Sequence, residues 1–85
     1  IGRLVMRAAA DNMVPVTLEL GGKSPVIVSP RCDINTVAET LISGKAMNSG
    51  QLCVSPVYCF VPQGKLDAFI KRCRDVIAGQ FATVQ

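Results

Sequence analysis

At 85 residues with a net charge of +3, the chain can form at most one small domain with a thin core, burying about 60 to 65 per cent of the surface it exposes when unfolded. Its densest basic group, Lys71, Arg72 and Arg74, has the pattern of a solvated helix face. One tyrosine and three phenylalanines leave no aromatic interleaving to stack bases, which argues against nucleic acid as a partner.

No apolar run approaches the roughly 20 residues that cross a bilayer, and no basic-then-apolar leader precedes the first element. No membrane segment is evident in these residues. The hydrophobic residues, 49% of the total, are mostly Val, Leu, Ile, Ala and Cys, a composition suited to buried strands and close helix packing. An opening Ile1 with no linker-like or capping segment at either end suggests a piece of a longer protein.

Ile1 to about Ala10 is rich in Ala, Leu, Met and Arg, with Ile1, Leu4, Val5 and Ala8 on one helical face. It reads as the end of a helix, broken at Asp11 and Asn12, where Asn tolerates a left-handed C-terminus. Val16 to Leu20 and Pro25 to Val28 are short apolar runs expected as strands, joined by a corner at Gly21-Gly22. From Asp33, an N-cap candidate, Ile34, Val37, Ala38, Leu41 and Ile42 form an amphipathic stripe running to about Ala46 or Met47. Asn48-Ser49-Gly50 supplies the stop.

Val57 to Val61 has apolar groups on both faces, as in a strand covered on both sides. The final helix buries Leu66, Phe69, Ile70, Cys73, Val76 and Ile77, carries an Asp67–Lys71 i, i+4 pair, and is expected to end near Gly79. This alternation of helices and strands predicts an α/β fold.

Four stretches could carry chemistry. Gly21-Gly22-Lys23-Ser24 looks like the end of a phosphate-binding loop, but that motif needs a glycine where Thr17 stands and a helix where Pro25 opens a strand. Four irregularly spaced cysteines and the absence of histidine argue against a metal site, and nothing marks a secreted disulfide framework, so reduced thiols in the cytoplasm are expected. Glu19, the one charge in an apolar run, is either turned to solvent or poised as a base in a dry pocket. Cys53, on a small-residue turn after Asn48-Ser49-Gly50-Gln51, is either a small buried hydrophobe or an exposed nucleophile. A strand-strand-helix path could bring the last two into one cleft.

Val16-Thr17-Leu18-Glu19-Leu20-Gly21-Gly22-Lys23-Ser24-Pro25 followed by Asn48-Ser49-Gly50-Gln51-Leu52-Cys53 resembles the paired signatures of the NAD(P)-dependent aldehyde dehydrogenase superfamily. The separation of the glutamate from the cysteine also matches. Gly44-Lys45, Met47-Asn48, Pro56 and Tyr58 look closest to the class-3-like and coniferyl aldehyde dehydrogenase branch, which favours aromatic or fatty aldehydes.

The resemblance implies a fragment of that fold straddling two domains, with residues 1–21 ending the NAD(P)-binding domain and residues 22–85 beginning the catalytic domain. It implies Cys53 as nucleophile, Glu19 as general base, and Leu20 and Gly21 at the nicotinamide end of an NAD or NADP site. Leu52 and Val54 would be either the apolar wall of the aldehyde pocket or core residues. A second glutamate, downstream of this chain, shares or takes over the base role in the class-3-like branch.

The complete enzyme would be a homo-oligomer, and these 85 residues alone would be inactive. Val57, where the branch usually has an aspartate, together with Leu52 and Cys59, departs from the pattern and leaves the subfamily and substrate open. The rival readings are a non-catalytic remnant or interaction segment, and a thiol hydrolase that uses no cofactor.

Overall fold

The computed structural model describes residues 1–81. Helix α1 (Gly2–Asp11) leads through an irregular segment to strand β1 (Ser24–Ile27), then helix α2 (Ile34–Ala46), a 3-10 turn at Met47–Gly50, strand β2 (Pro56–Phe60) and helix α3 (Leu66–Phe81). β1 and β2 pair in parallel, with Val26 opposite Cys59 and Ile27 opposite Phe60, and the ladder slips between Ser24 and Pro25. Parallel strands require a crossover. Here α2 provides it.

α2 begins where its cap dictates. The Asp33 carboxylate accepts from the backbone N–H groups of Asn35 (3.4 Å) and Thr36 (3.0 Å) and from the Thr36 hydroxyl (2.7 Å). These bonds satisfy helix donors that otherwise lack partners. The Thr36 bonds, the hydroxyl first, hold the Asp33 carboxyl below the usual carboxylate range.

α2 and α3 pack together around Ala38, Phe69 and Val76, all buried. Full burial of side chains such as Phe or Val is worth about 1.5 to 3 kcal/mol each. An Arg72–Glu39 ion pair and a 3.4 Å bond from Gln80 Nε2 to Ser43 Oγ cross the same interface. Lys65 Nζ donates to the Pro30 carbonyl at 2.6 Å, tying the approach to α3 to the end of β1.

Several expectations need correction. Val16 to Leu20 is not a strand, because among the described residues β1 and β2 form the whole sheet and no backbone ladder reaches this run. The left-handed residue after α1 is Met13 (φ 52°), not Asn12, whose side chain instead donates to the Ala8 carbonyl at 2.8 Å. α3 continues through Gly79 to Phe81; one glycine costs a helix only about 1 kcal/mol. Asp67 and Lys71 form no ion pair; the one among the described residues is Arg72–Glu39.

β2 is not covered on both faces: Val57, Tyr58 and Phe60 are exposed, and Tyr58 and Phe60 pack edge to face with centroids 5.6 Å apart. Ile1, Leu4 and Val5 are likewise exposed, and in α1 only Ala9 is buried. The described chain is a slab of 54 × 34 × 15 Å, too thin to cover both sides of a sheet.

Candidate active site

Parallel pairing puts the amino ends of both strands at one edge of the sheet. Glu19, Leu20, Gly21 and Gly22 enter β1 there, and Gln51, Leu52, Cys53 and Ser55 enter β2 beside them. Together they line a cleft of about 590 Å³, completed by Ile1, Lys45, Gly50 and Val57. Ligand sites of open α/β sheets usually lie at the carboxyl ends of strands. This cleft occupies the opposite end.

The thiol is presented by an unusual backbone. Asn48, Ser49 and Gly50 all have positive φ (49°, 58° and 75°), a region that non-glycine residues adopt at a cost. The Gln51 N–H donates to the Asn48 carbonyl at 3.1 Å. A second turn follows, closed by the Ser55 N–H on the Leu52 carbonyl at 2.9 Å, with Cys53 and Val54 at its centre. Cys53 is exposed, so the reading as a buried hydrophobe does not hold.

The Glu19 segment is held from the other side. A Cβ on Gly2 would meet Leu18 Cδ1 at 3.2 Å and Leu20 Cδ1 at 3.6 Å, so the start of α1 nests against the residues that flank Glu19. Glu19 itself is exposed on the cleft wall. Gly22 approaches the second motif: its Cβ would lie 3.1 Å from the Cys53 carbonyl oxygen. At Gly21 a Cβ would meet nothing within 4 Å.

Of the residues singled out in the sequence, the cleft thus brings together Glu19, Leu20, Gly21, Leu52 and Cys53. Val54 does not line it and is 71% exposed. Cys32 is exposed, while Cys59 and Cys73 are half-buried; burial pushes both half-buried thiols up, and Cys73 is raised further by Cys59. Ser24 opens β1 rather than a helix, so the phosphate-loop reading fails on structure as it does on spacing.

For three cleft residues no site role follows from the sequence. Gly22 was expected only to turn a corner, and its approach to Cys53 is tertiary. Lys45, in the last turn of α2, reaches Ser55 Oγ with its Nζ at 3.2 Å. Ser55 is only 5% exposed, the one buried polar residue among those described. The sequence hints at Lys45 only through the Gly44-Lys45 pair of the resemblance and the break in apolar periodicity.

Residues 1–80 match the sequence model described as the aldehyde dehydrogenase family, and the chain belongs to that family. Over 85 residues it is 47% identical to the "Probable coniferyl aldehyde dehydrogenase" of Caulobacter vibrioides, covering 100% of this chain and 18% of that protein. Over 58 residues it is 53% identical to "Aldehyde dehydrogenase, dimeric NADP-preferring" of Rattus norvegicus, covering 68% of this chain and 13% of that one. A solved structure, the substrate-bound state of Staphylococcus aureus AldH, superposes with a TM-score of 0.78 at 39% identity over 96% of this chain and 18% of its own.

The family expected from the two motifs is therefore found, as are the coniferyl aldehyde dehydrogenase likeness expected from Gly44-Lys45, Met47-Asn48, Pro56 and Tyr58 and the α/β fold. The chain spans less than a fifth of the length of these relatives. No helix among the described residues is long and apolar enough to cross a membrane.

Proposed function

We propose that the protein carrying this chain oxidises an aldehyde to the carboxylic acid with NAD or NADP, and that this segment supplies Cys53 as nucleophile and Glu19 as general base. The observation that supports this most is the shared cleft: two residues 34 positions apart line one cavity at the same edge of the sheet. The names of the relatives favour aromatic aldehydes such as coniferyl aldehyde, with fatty aldehydes as the other class.

In the proposed chemistry the Cys53 thiolate adds to the aldehyde carbon, and the Cys53 backbone N–H stabilises the resulting oxyanion. Collapse of this thiohemiacetal with loss of hydride leaves a thioester on Sγ. Glu19 then takes a proton from water, whose oxygen attacks the thioester carbon. The acid departs and the thiolate is regenerated.

The cofactor, when bound, supplies the hydride acceptor. The cleft fits such a group: Leu20 offers an exposed apolar side chain, and the open space at Gly21 lets a flat ring approach the backbone. Leu52, also on the wall, would contact the aldehyde. We assign residues 1–21 to the end of the cofactor domain and residues 22–85 to the start of the catalytic domain, the last four lying outside the described residues. The irregular segment before β1 supports that boundary.

We further place the protein in the cytoplasm as a homo-oligomer. Four free thiols and the dimeric relative named above are the support. The 85 residues by themselves would lack activity.

The test is an aldehyde panel followed by cofactor absorbance on the full-length protein, beside Cys53→Ala. We expect oxidation to fall to assay background in the variant. Wild-type rates in Cys53→Ala would sink the mechanism. Ester turnover without any cofactor reduction would instead favour a thiol hydrolase.

A further inference from the structure

The loop that carries Cys53 is spanned by one side chain. Lys45 leaves the last turn of α2 and passes beneath Gly50, where a Cβ would lie 3.2 Å from its Cε, its Nζ and its carbonyl oxygen. Its ammonium ends on Ser55 Oγ, 3.2 Å away. Lys45 therefore touches the loop before the thiol, at Gly50, and after it, at Ser55.

The partner matters as much as the reach. Ser55 is buried, and a buried hydroxyl without a hydrogen-bond partner is costly. Its backbone N–H closes the turn centred on Cys53 and Val54, so anchoring its side chain anchors that turn. The loop needs such an anchor, because three successive residues with positive φ form a conformation that the backbone does not favour by itself. Cys53 must nonetheless stand in a near-attack position.

We infer that Lys45 is a positioning residue for aldehyde oxidation, pinning the Cys53 turn through Ser55 and Gly50. The inference rests on the reading of Cys53 as nucleophile. Lys45 acts through the loop rather than on the substrate. Its side chain replaces the contacts that a strand partner or a packed core residue would otherwise provide.

The test uses the full-length protein with Lys45→Met, which keeps the stem beneath Gly50 and deletes the donor, and Ser55→Ala, which deletes the acceptor. Folded protein is first isolated by size exclusion and checked by circular dichroism, and its Cys53 is then counted by stoichiometric alkylation, so that misfolded protein is not scored as slow enzyme. We expect kcat per titrated Cys53 to fall about tenfold in each variant, with KM within about twofold, because small misplacements of a reacting group act on the chemical step. The double variant should lose no more than either single one, since both remove the same contact.

Wild-type kcat per titrated thiol in both variants would overturn the inference, as would losses that multiply in the double variant. Should Lys45→Met fail to accumulate as folded protein, Ser55→Ala decides by the same kcat criterion. If the wild-type protein oxidises no aldehyde at all, the functional reading itself falls, and this inference with it.

Discussion

The backbone of Gly22 lies close against the carbonyl of Cys53: a Cβ there would stand 3.1 Å from the carbonyl oxygen, so a methyl group fits only if the loop gives by a few tenths of an ångström. One motif thus sets the height of the other. The glycine is needed for proximity to the thiol loop, not for the turn alone.

Replacing Gly22 with Ala should push the Cys53 loop by a few tenths of an ångström. We expect kcat to fall about tenfold while folding is preserved, in line with the sensitivity of chemical steps to small misplacements. Steady-state kinetics with far-ultraviolet circular dichroism checks this. Unchanged kcat would mean that the loop yields at no cost.

For Glu19, rapid mixing separates the two halves of the reaction. Glu19→Gln should keep the burst of reduced cofactor and slow acyl-enzyme breakdown by about 10² to 10⁴-fold, the range of general-base contributions. Deacylation at the wild-type rate would remove Glu19 from the mechanism and pass the role to another group.

The cap of α2 should respond to pH. Because the bonds from Thr36 hold the folded carboxyl of Asp33 below its ordinary value of 3.8, its contribution is fully present above that value and is lost as pH falls through the folded one. Asp33→Ala should therefore reduce hydrogen-exchange protection of the Asn35 and Thr36 amides at neutral pH. The variant and the wild type should converge once the pH has fallen below the depressed value of the folded carboxyl. Equal protection at neutral pH would refute the cap.

Thiol chemistry offers a fourth check. Cys53 is exposed, whereas burial raises Cys59 and Cys73 and so lowers their thiolate fraction at neutral pH. Iodoacetamide should modify Cys53 at least about tenfold faster than either half-buried thiol, and labelling of Cys59 and Cys73 should grow as pH rises. Peptide mass spectrometry would read this directly. Cys73 reacting first would contradict the burial order.

Local chemistry made α2 legible: an Asp cap followed by an apolar stripe has few other solutions, and the helix starts and stops where those residues say. The same holds for the turn after it, because Asn48, Ser49 and Gly50 lack bulk at the positions that need positive φ. Val16 to Leu20 departs from the strand pattern for the opposite reason. β-branched and apolar residues favour a strand only when a neighbouring ladder accepts their hydrogen bonds, and no described element does so here.

The sequence by itself determined the family, since that resides in side-chain type and in two motifs of fixed separation, and it supplied Cys53 and Glu19 as the nucleophile and base proposed above. Tertiary structure decided that the motifs meet, because only the parallel pairing of β1 with β2 carries their loops to one edge. It also decided that Val54 stays off the cleft wall and that Lys45 reaches Ser55. Those relationships depend on where a turn points its side chains and on what is buried beneath it, and neither is written in residue order.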